Sequence, residues 1–219
     1  MNKQGIILSF IILPILILNI FLINILITEK AFADPTIEKF SYDTEFYKSN
    51  NIEENKYYER FNINNNIDTF NKLELIKFYN KYTNSSIVSE AIINAALNYN
   101  VPINLSFALA WKESRFDINS LNHNFGNSYD YGLYQLNSIY RPTWSKDDFF
   151  NITKNAYEGN RYLSYCLDLS DGNIEKALYG YNAGPDAILN NNVPKRSFQY
   201  ATEIIDYEDF LTVEFNKVF

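Results

Sequence analysis

Three short segments carry side chains that could break a sugar linkage. Glu113 lies in the mostly apolar stretch Ala-Leu-Ala-Trp-Lys-Glu-Ser-Arg-Phe, residues 108–116. A carboxyl group on a mostly buried helix is costly to ionise, so its pKa rises and it can keep a proton near neutral pH. That is the property a general acid needs to cleave a glycosidic bond. Residues 130–137 (Asp-Tyr-Gly-Leu-Tyr-Gln-Leu-Asn) and 180–185 (Gly-Tyr-Asn-Ala-Gly-Pro) are the other two segments.

In this order, the three segments resemble those of the lytic transglycosylase domain, the lysozyme-like family that cuts the glycan strands of peptidoglycan. Its members carry a Glu-Ser pair at the end of a helix, then a Gly-Leu-x-Gln element, and later a Tyr-Asn-Ala-Gly element. This chain has Glu113-Ser114, Gly132 to Gln135, and Tyr181 to Gly184. The resemblance covers about residues 87–210. It implies a mainly α, lysozyme-like fold with at most a small β-hairpin.

The resemblance also implies a role for each matched residue. Glu113 would protonate the oxygen between MurNAc and GlcNAc, and would then act as a base on the MurNAc C6 hydroxyl, which closes a 1,6-anhydro ring without consuming water. The substrate-binding residues would be Ser114, Gln135, Tyr181, Asn182 and Tyr200. Tyr181 would also keep the Glu113 carboxyl group oriented. Family members often have Met where Tyr134 stands, which would alter a sugar subsite. No metal ion or other cofactor is implied.

Asp130 leaves a second chemistry open. Most glycosidases use two carboxylates, with substrate-assisted families as exceptions. Asp130 is either a solvated loop residue or a second acid that orients water, as in goose-type lysozymes, and in the latter case the reaction would be hydrolysis. A third alternative, of a different class, is a non-catalytic wall-binding factor of an envelope assembly. A pure binder would not need the combination of Glu113, Gln135 and Tyr181.

The loop from His123 to Gly132 is similar to the Asn- and Gly-rich loop of the small transglycosylases that accompany secretion systems, pili and phages. We therefore expect a partner of that kind, namely a secretion, pilus or flagellar assembly that needs a local hole in the wall. His123 itself is expected to be an exposed loop residue.

Composition and charge exclude other classes of protein. The net charge of −7 lacks the basic footprint of nucleic acid binding. With one histidine and one cysteine, Cys166, the chain has too few ligands for a structural zinc site and no partner for a disulfide. We expect Cys166 to be a small core residue.

Residues 1–33 indicate export. The stretch from Ile6 to Ile27 is almost wholly apolar, and Ala31-Phe32-Ala33 fits the small-x-small pattern of signal peptidase sites. The apolar stretch exceeds the usual 7–15 residues of a signal peptide, and about 20 suffice to span a bilayer. The segment is therefore either a cleaved signal peptide or a retained membrane anchor. Both interpretations place the remainder in the periplasm or cell envelope.

The remaining chain divides at about residue 85. Residues 34–84 are predicted to be an Asn- and Tyr-rich spacer, with a helix at 68–82 that presents Phe70, Leu73, Ile76 and Tyr79 on one face. Residues 85–219 are predicted to be the lytic transglycosylase domain. Within it we expect a helix from about Ser85 to Asn100, a helix capped by Asn104 that ends near Glu113, a loop or hairpin at 117–131, a short helix at 133–139, and helices at 152–169, 174–181 and 197–213.

Overall fold

A computed structural model describes residues 72–190 and 192–219. The predicted export segment and most of the predicted spacer lie outside these residues. Within the described ranges, no helix combines the length and apolar character needed to cross a membrane.

The described part of the chain is mainly helical. Its helices are α1 (Lys72–Thr83), α2 (Ser86–Asn98), α3 (Ile103–Ser114), α4 (Lys146–Phe150), α5 (Ile152–Leu169), α6 (Ile174–Ala183), α7 (Asp186–Leu189) and α8 (Lys195–Phe215). A small antiparallel sheet of order β1-β2-β3 is formed by Leu121–His123, Tyr129–Tyr131 and Leu136–Asn137. This architecture confirms the predicted fold class. The expected short helix at 133–139 is wrong, because residues 132–135 form a turn that leads into β3 and then into a 3₁₀ turn, Ser138–Tyr140.

Helix α1 packs on the same core as the residues that follow it. Leu75 and Tyr79 are fully buried, and the Tyr79 ring stacks on Phe107 with centroids 3.9 Å apart. The buried face differs from the predicted one, since Leu73 is 54% exposed. The folded unit therefore includes this helix, which the sequence assigned to the spacer.

Helix α3 is the central helix of the described structure. Every residue from Ile103 to Ala110 is buried, including the polar Asn104. Asn104 does not cap the helix as predicted. Its side chain accepts a hydrogen bond from the Tyr79 hydroxyl (2.6 Å) and donates one to Thr212 Oγ1 (2.9 Å), so it joins α1, α3 and α8.

Helix α3 stops directly after the acid because the backbone turns left-handed there. Arg115 and Phe116 have φ values of 56° and 66°. The Arg115 amide donates to the Trp111 carbonyl and closes the last turn. Phe116 then buries its ring against the core, 6.2 Å from Phe107. This ending leaves Glu113 in the last turn of a helix that is otherwise surrounded by protein.

Asn155 on α5 fixes the turn that follows β2. Its amide nitrogen donates to the carbonyls of Tyr131 (3.0 Å) and Phe149 (2.8 Å), and its oxygen accepts from the Tyr134 amide (2.8 Å). Gly132 in this turn has φ of 73°, and a Cβ there would lie 2.6 Å from Asn155 Nδ2. The turn therefore requires both a glycine and a buried amide side chain.

We predict that Asn155→Ala lowers the free energy of unfolding by about 3 kcal/mol, because it leaves one amide and two carbonyls buried without their partner. Chemical denaturation followed by circular dichroism measures the change. Asn127→Ala, at the exposed tip of the hairpin, is the control and should change the value by less than about 0.5 kcal/mol. Equal effects of the two substitutions would contradict this account of the turn.

Candidate active site

Glu113 meets Tyr200 across the interface between α3 and α8. The Tyr200 hydroxyl donates a short hydrogen bond to Glu113 Oε1. Glu113 is partly buried and Tyr200 is 8% exposed. The two residues are 87 positions apart in the chain, and the packing of α8 against α3 brings them together.

The pKa of Glu113 is raised to about 7, and burial is the main cause. The Tyr200 hydrogen bond and the Lys112 charge act in the opposite direction, since both favour the carboxylate. The Asp130 charge adds to the increase. A carboxyl group with this pKa is about half protonated at neutral pH, so it can both donate and accept a proton there.

Tyr181 lies close to Glu113 but does not hold it as predicted. Its hydroxyl donates to the Tyr134 carbonyl oxygen at 3.2 Å. Burial raises the pKa of Tyr181 well above its usual value, and the nearby Glu113 charge raises it further. The residue that orients the acid by a hydrogen bond is Tyr200, whereas Tyr181 supports the segment that follows Leu133.

Ser114 also bonds to that segment. The residue is 8% exposed, and its hydroxyl donates to the carbonyl oxygens of Leu133 (2.8 Å) and Ala110 (3.2 Å). The hydroxyl therefore already donates its hydrogen bond within the protein, which favours a positioning role for Ser114 over the predicted contact with substrate.

Gln135 is held in a left-handed backbone conformation, with φ of 47°. Its amide nitrogen donates to the carbonyls of Gly132 (2.8 Å) and Ser120 (3.2 Å), and its oxygen accepts from Asn122 Nδ2 (2.6 Å). The predicted contact with a sugar thus depends on the second lone pair of the Gln135 oxygen, which could accept a bond from a hydroxyl or an acetamido N–H.

Asn182 connects the end of α6 to the start of α8. Its side-chain oxygen accepts a hydrogen bond from the Ser197 hydroxyl at 2.8 Å. Within the described residues its amide nitrogen has no protein acceptor, so that group can donate to a ligand.

Asp130 lies in the middle of the small sheet. In the register of the sheet it pairs with Asn122 on one side and with Asn137 on the other. Asn137 Nδ2 donates to Asp130 Oδ1 at 2.7 Å. The charge of Asp130 acts on Glu113, so Asp130 lies near the acid. The sequence had left open whether it does.

Of three further residues, His123 and Cys166 lie where the sequence predicted them, and Tyr134 does not. His123 is exposed and its ring stacks on Tyr129 at 4.6 Å, within the hairpin. Cys166 is fully buried. Tyr134 is also fully buried, with its hydroxyl 2.6 Å from Ser106 Oγ. Its side chain therefore does not line a sugar subsite, contrary to the expectation.

The residues that sequence reasoning missed are Asn155, which fixes the turn, and the ion pair of Lys112 with Glu203 beside the acid. No local pattern marks them, because each acts on a residue distant in the chain. Among the described residues, no cluster of three or more His, Cys, Asp or Glu side chains is arranged to hold a metal ion.

Comparison with known proteins agrees with this site. Residues 90–204 match the family model described as "Transglycosylase SLT domain", and every predicted site residue falls in that range. The chain is also similar to Lysozyme-like protein 6 of Homo sapiens, with 38% identity over 71 residues, which span 32% of this chain and 42% of that protein. The chain thus matches less than half the length of this curated relative. No solved structure matches significantly.

We predict that Glu113→Gln becomes more stable relative to the wild type as the pH rises. The folded-state pKa of about 7 exceeds the ordinary value of 4.5. The stability that protonated Glu113 contributes is therefore fully present below about pH 4.5 and is lost as the pH rises through about 7. The expected loss in the wild type is about 3 kcal/mol, and the amide variant lacks it.

Urea denaturation of both proteins at pH 4 and pH 8 measures this difference. Glu90→Gln, which removes a surface carboxylate, is the matched control. A stability difference between Glu113→Gln and the wild type that stays the same at both pH values would contradict the raised pKa.

Proposed function

Because this chain belongs to the transglycosylase SLT domain family, whose members act on peptidoglycan glycan strands, we propose that it is an exported lytic transglycosylase. It cleaves the β-1,4 bond between MurNAc and GlcNAc and forms 1,6-anhydro-MurNAc. The observation that carries this proposal is the partly buried carboxyl group of Glu113, with a pKa of about 7 and a hydrogen bond from Tyr200.

In the first half of the reaction, protonated Glu113 donates to the glycosidic oxygen. The bond between that oxygen and MurNAc C1 breaks, and the GlcNAc side leaves with the proton as its new hydroxyl. The acetamido group of MurNAc can assist at C1, so a second protein carboxylate is not required. The Tyr200 hydroxyl stabilises the Glu113 carboxylate that this step creates.

In the second half, the Glu113 carboxylate takes the proton of the MurNAc C6 hydroxyl. The C6 oxygen forms a bond to C1 and closes the anhydro ring, and the acid is again protonated. No water is consumed. One group thus serves as acid and then as base, which is most efficient when its pKa lies near the working pH.

A second candidate function is hydrolysis of the same bond, and the position of Asp130 favours it. Its carboxylate acts electrostatically on Glu113 and is held by Asn137. The similarity to Lysozyme-like protein 6 points in the same direction. In this alternative, Asp130 orients a water molecule or stabilises positive charge at C1, and water replaces the C6 hydroxyl as nucleophile.

The cellular setting is part of the proposal. The apolar stretch of residues 1–33 supports export to the periplasm or cell envelope, as a cleaved protein or one anchored in the membrane. The loop after His123 supports work with a secretion, pilus or flagellar assembly. In the structure this loop is the tip of the β1–β2 hairpin, and the Phe125 side chain there is fully exposed to solvent.

We predict that Glu113→Gln keeps the fold and lowers the release of soluble muropeptides from purified sacculi by about 10²–10⁴-fold, because the amide can neither donate nor retake the proton. Circular dichroism verifies the fold. Glu90→Gln should retain wild-type release. Near wild-type release by Glu113→Gln would overturn the proposed function, and binding to sacculi without any released fragment would favour the wall-binding alternative.

Mass spectrometry of the released fragments distinguishes the two reactions, since an anhydro product is lighter than the hydrolysis product by one water. We predict that the wild type yields anhydro products and that Asp130→Asn still yields them. In Asp130→Asn, the alkaline limb of the plot of activity against pH should move to lower pH, because the Asp130 charge raises the pKa of Glu113. Hydrated products whose formation Asp130→Asn abolishes would establish hydrolysis instead.

A further inference from the structure

An ion pair lies beside the hydrogen bond between Glu113 and Tyr200. Lys112 Nζ on α3 is 2.5 Å from Glu203 Oε2 on α8. The two side chains are 24% and 33% exposed. Lys112 precedes the Glu113-Ser114 pair in the first segment but is not one of its matched residues, and Glu203 lies outside all three segments. The proposed reaction gives neither of them a proton to carry.

The ion pair and the catalytic hydrogen bond connect the same two helices at the same level. Lys112 precedes Glu113 in the chain, and Glu203 follows Tyr200 by three positions on α8, which places both on one face of that helix. Lys112 Nζ also lies 5.8 Å from the centre of the Tyr200 ring. Gln199 Nε2 donates to the other oxygen of Glu203 at 2.9 Å and fixes the carboxylate.

We propose that the Lys112–Glu203 ion pair sets the net charge beside the catalytic acid. Glu203 cancels the positive charge that Lys112 would otherwise place next to Glu113. This inference rests on the proposed function, because it takes Glu113 to be the general acid.

The charges around Glu113 explain why the pair matters. Among the residues that the structure describes, the groups that act on the acid are Lys112 on α3, Tyr200 on α8, Asp130 on β2 and Tyr181 on α6. Among them Lys112 is the cation, and its charge lowers the pKa of Glu113. Without Glu203 this effect would increase, and without Lys112 the remaining carboxylate would act in the opposite direction.

A second contact keeps the two helices together when the ion pair is removed. The rings of Trp111 and Tyr207 stack with centroids 4.2 Å apart, next to the ion pair on the same two helices. The guanidinium of Arg115 lies 3.4 Å from the centre of the Trp111 ring, and its charge also acts on Glu203. Single substitutions in the ion pair should therefore leave the protein folded.

The test is the pH dependence of kcat/KM for muropeptide release by Glu203→Gln, Lys112→Met and the double variant. The alkaline limb reports loss of the protonated acid. It should move to lower pH in Glu203→Gln and to higher pH in Lys112→Met, each by on the order of half a pH unit. In the double variant it should return close to the wild-type position. Both shifts should shrink at high salt, because the pair is partly exposed.

Two controls make the result specific. Lys72 and Glu90 form a similar pair between α1 and α2, with 2.8 Å between Nζ and Oε1, and the same three substitutions there should leave the limb unchanged. Lys112→Arg keeps the charge and should keep the wild-type limb. Lys112→Gln removes the same charge and is the variant to use should Lys112→Met fail to fold.

Shifts of the same sign in both single variants, no shift in either, or a shifted limb in Lys112→Arg would overturn the inference. A purely structural role would lower activity without moving the limb in opposite directions. Inactive Glu113→Gln together with unshifted ion-pair variants would refute this inference alone. Active Glu113→Gln would refute the proposed function.

Discussion

The cost of ionising one carboxyl group at the end of a buried helix determines how this site works. Helix α3 is enclosed by protein along most of its length, so a charge in its last turn loses much of its contact with water. The left-handed turn at Arg115 and Phe116 ends the helix at the point where the acid emerges.

Burial alone would raise the pKa of Glu113 further than about 7. The Tyr200 hydrogen bond and the Lys112 charge offset part of this effect, and the Asp130 charge adds to it. A group that acts as acid and base within one turnover needs both protonation states to be accessible. The contributions come from α3, α8 and β2, so the helical framework and the small sheet both determine the proton affinity of Glu113.

The sequence predicted the parts of the structure that local patterns determine. The apolar period predicted α2, α5, α6 and α8 with boundaries close to those observed, and the motif order singled out Glu113 as the candidate acid. It failed where a distant contact decides. Tyr181 was expected to orient the acid, but its hydroxyl bonds the Tyr134 carbonyl. Asn104 was expected to cap α3, but it is enclosed by α1 and α8. Hydrogen-bond partners from other helices cannot be derived from spacing along the chain.

The motif residues contact one another as much as they face the cleft. Ser114 bonds the Leu133 carbonyl, Tyr181 bonds the Tyr134 carbonyl, and the Gln135 amide returns to the Gly132 carbonyl. All of these acceptors belong to one short segment, 132–134. Such backbone acceptors are present whatever side chains the segment carries, so the residue at position 134 is free to vary without loss of these bonds.

The Tyr134 ring extends into the core, where Gly159 leaves room for it. A Cβ at residue 159 would lie 2.4 Å from the ring. Ser106 and Asn160 bond the Tyr134 hydroxyl at 2.6 and 3.0 Å. A buried hydroxyl without partners would cost about 1–3 kcal/mol. The tyrosine is therefore tolerated because three other positions accommodate it. The motif segment can hold its backbone geometry, and with it the position of Glu113, while its side chain adapts to the core.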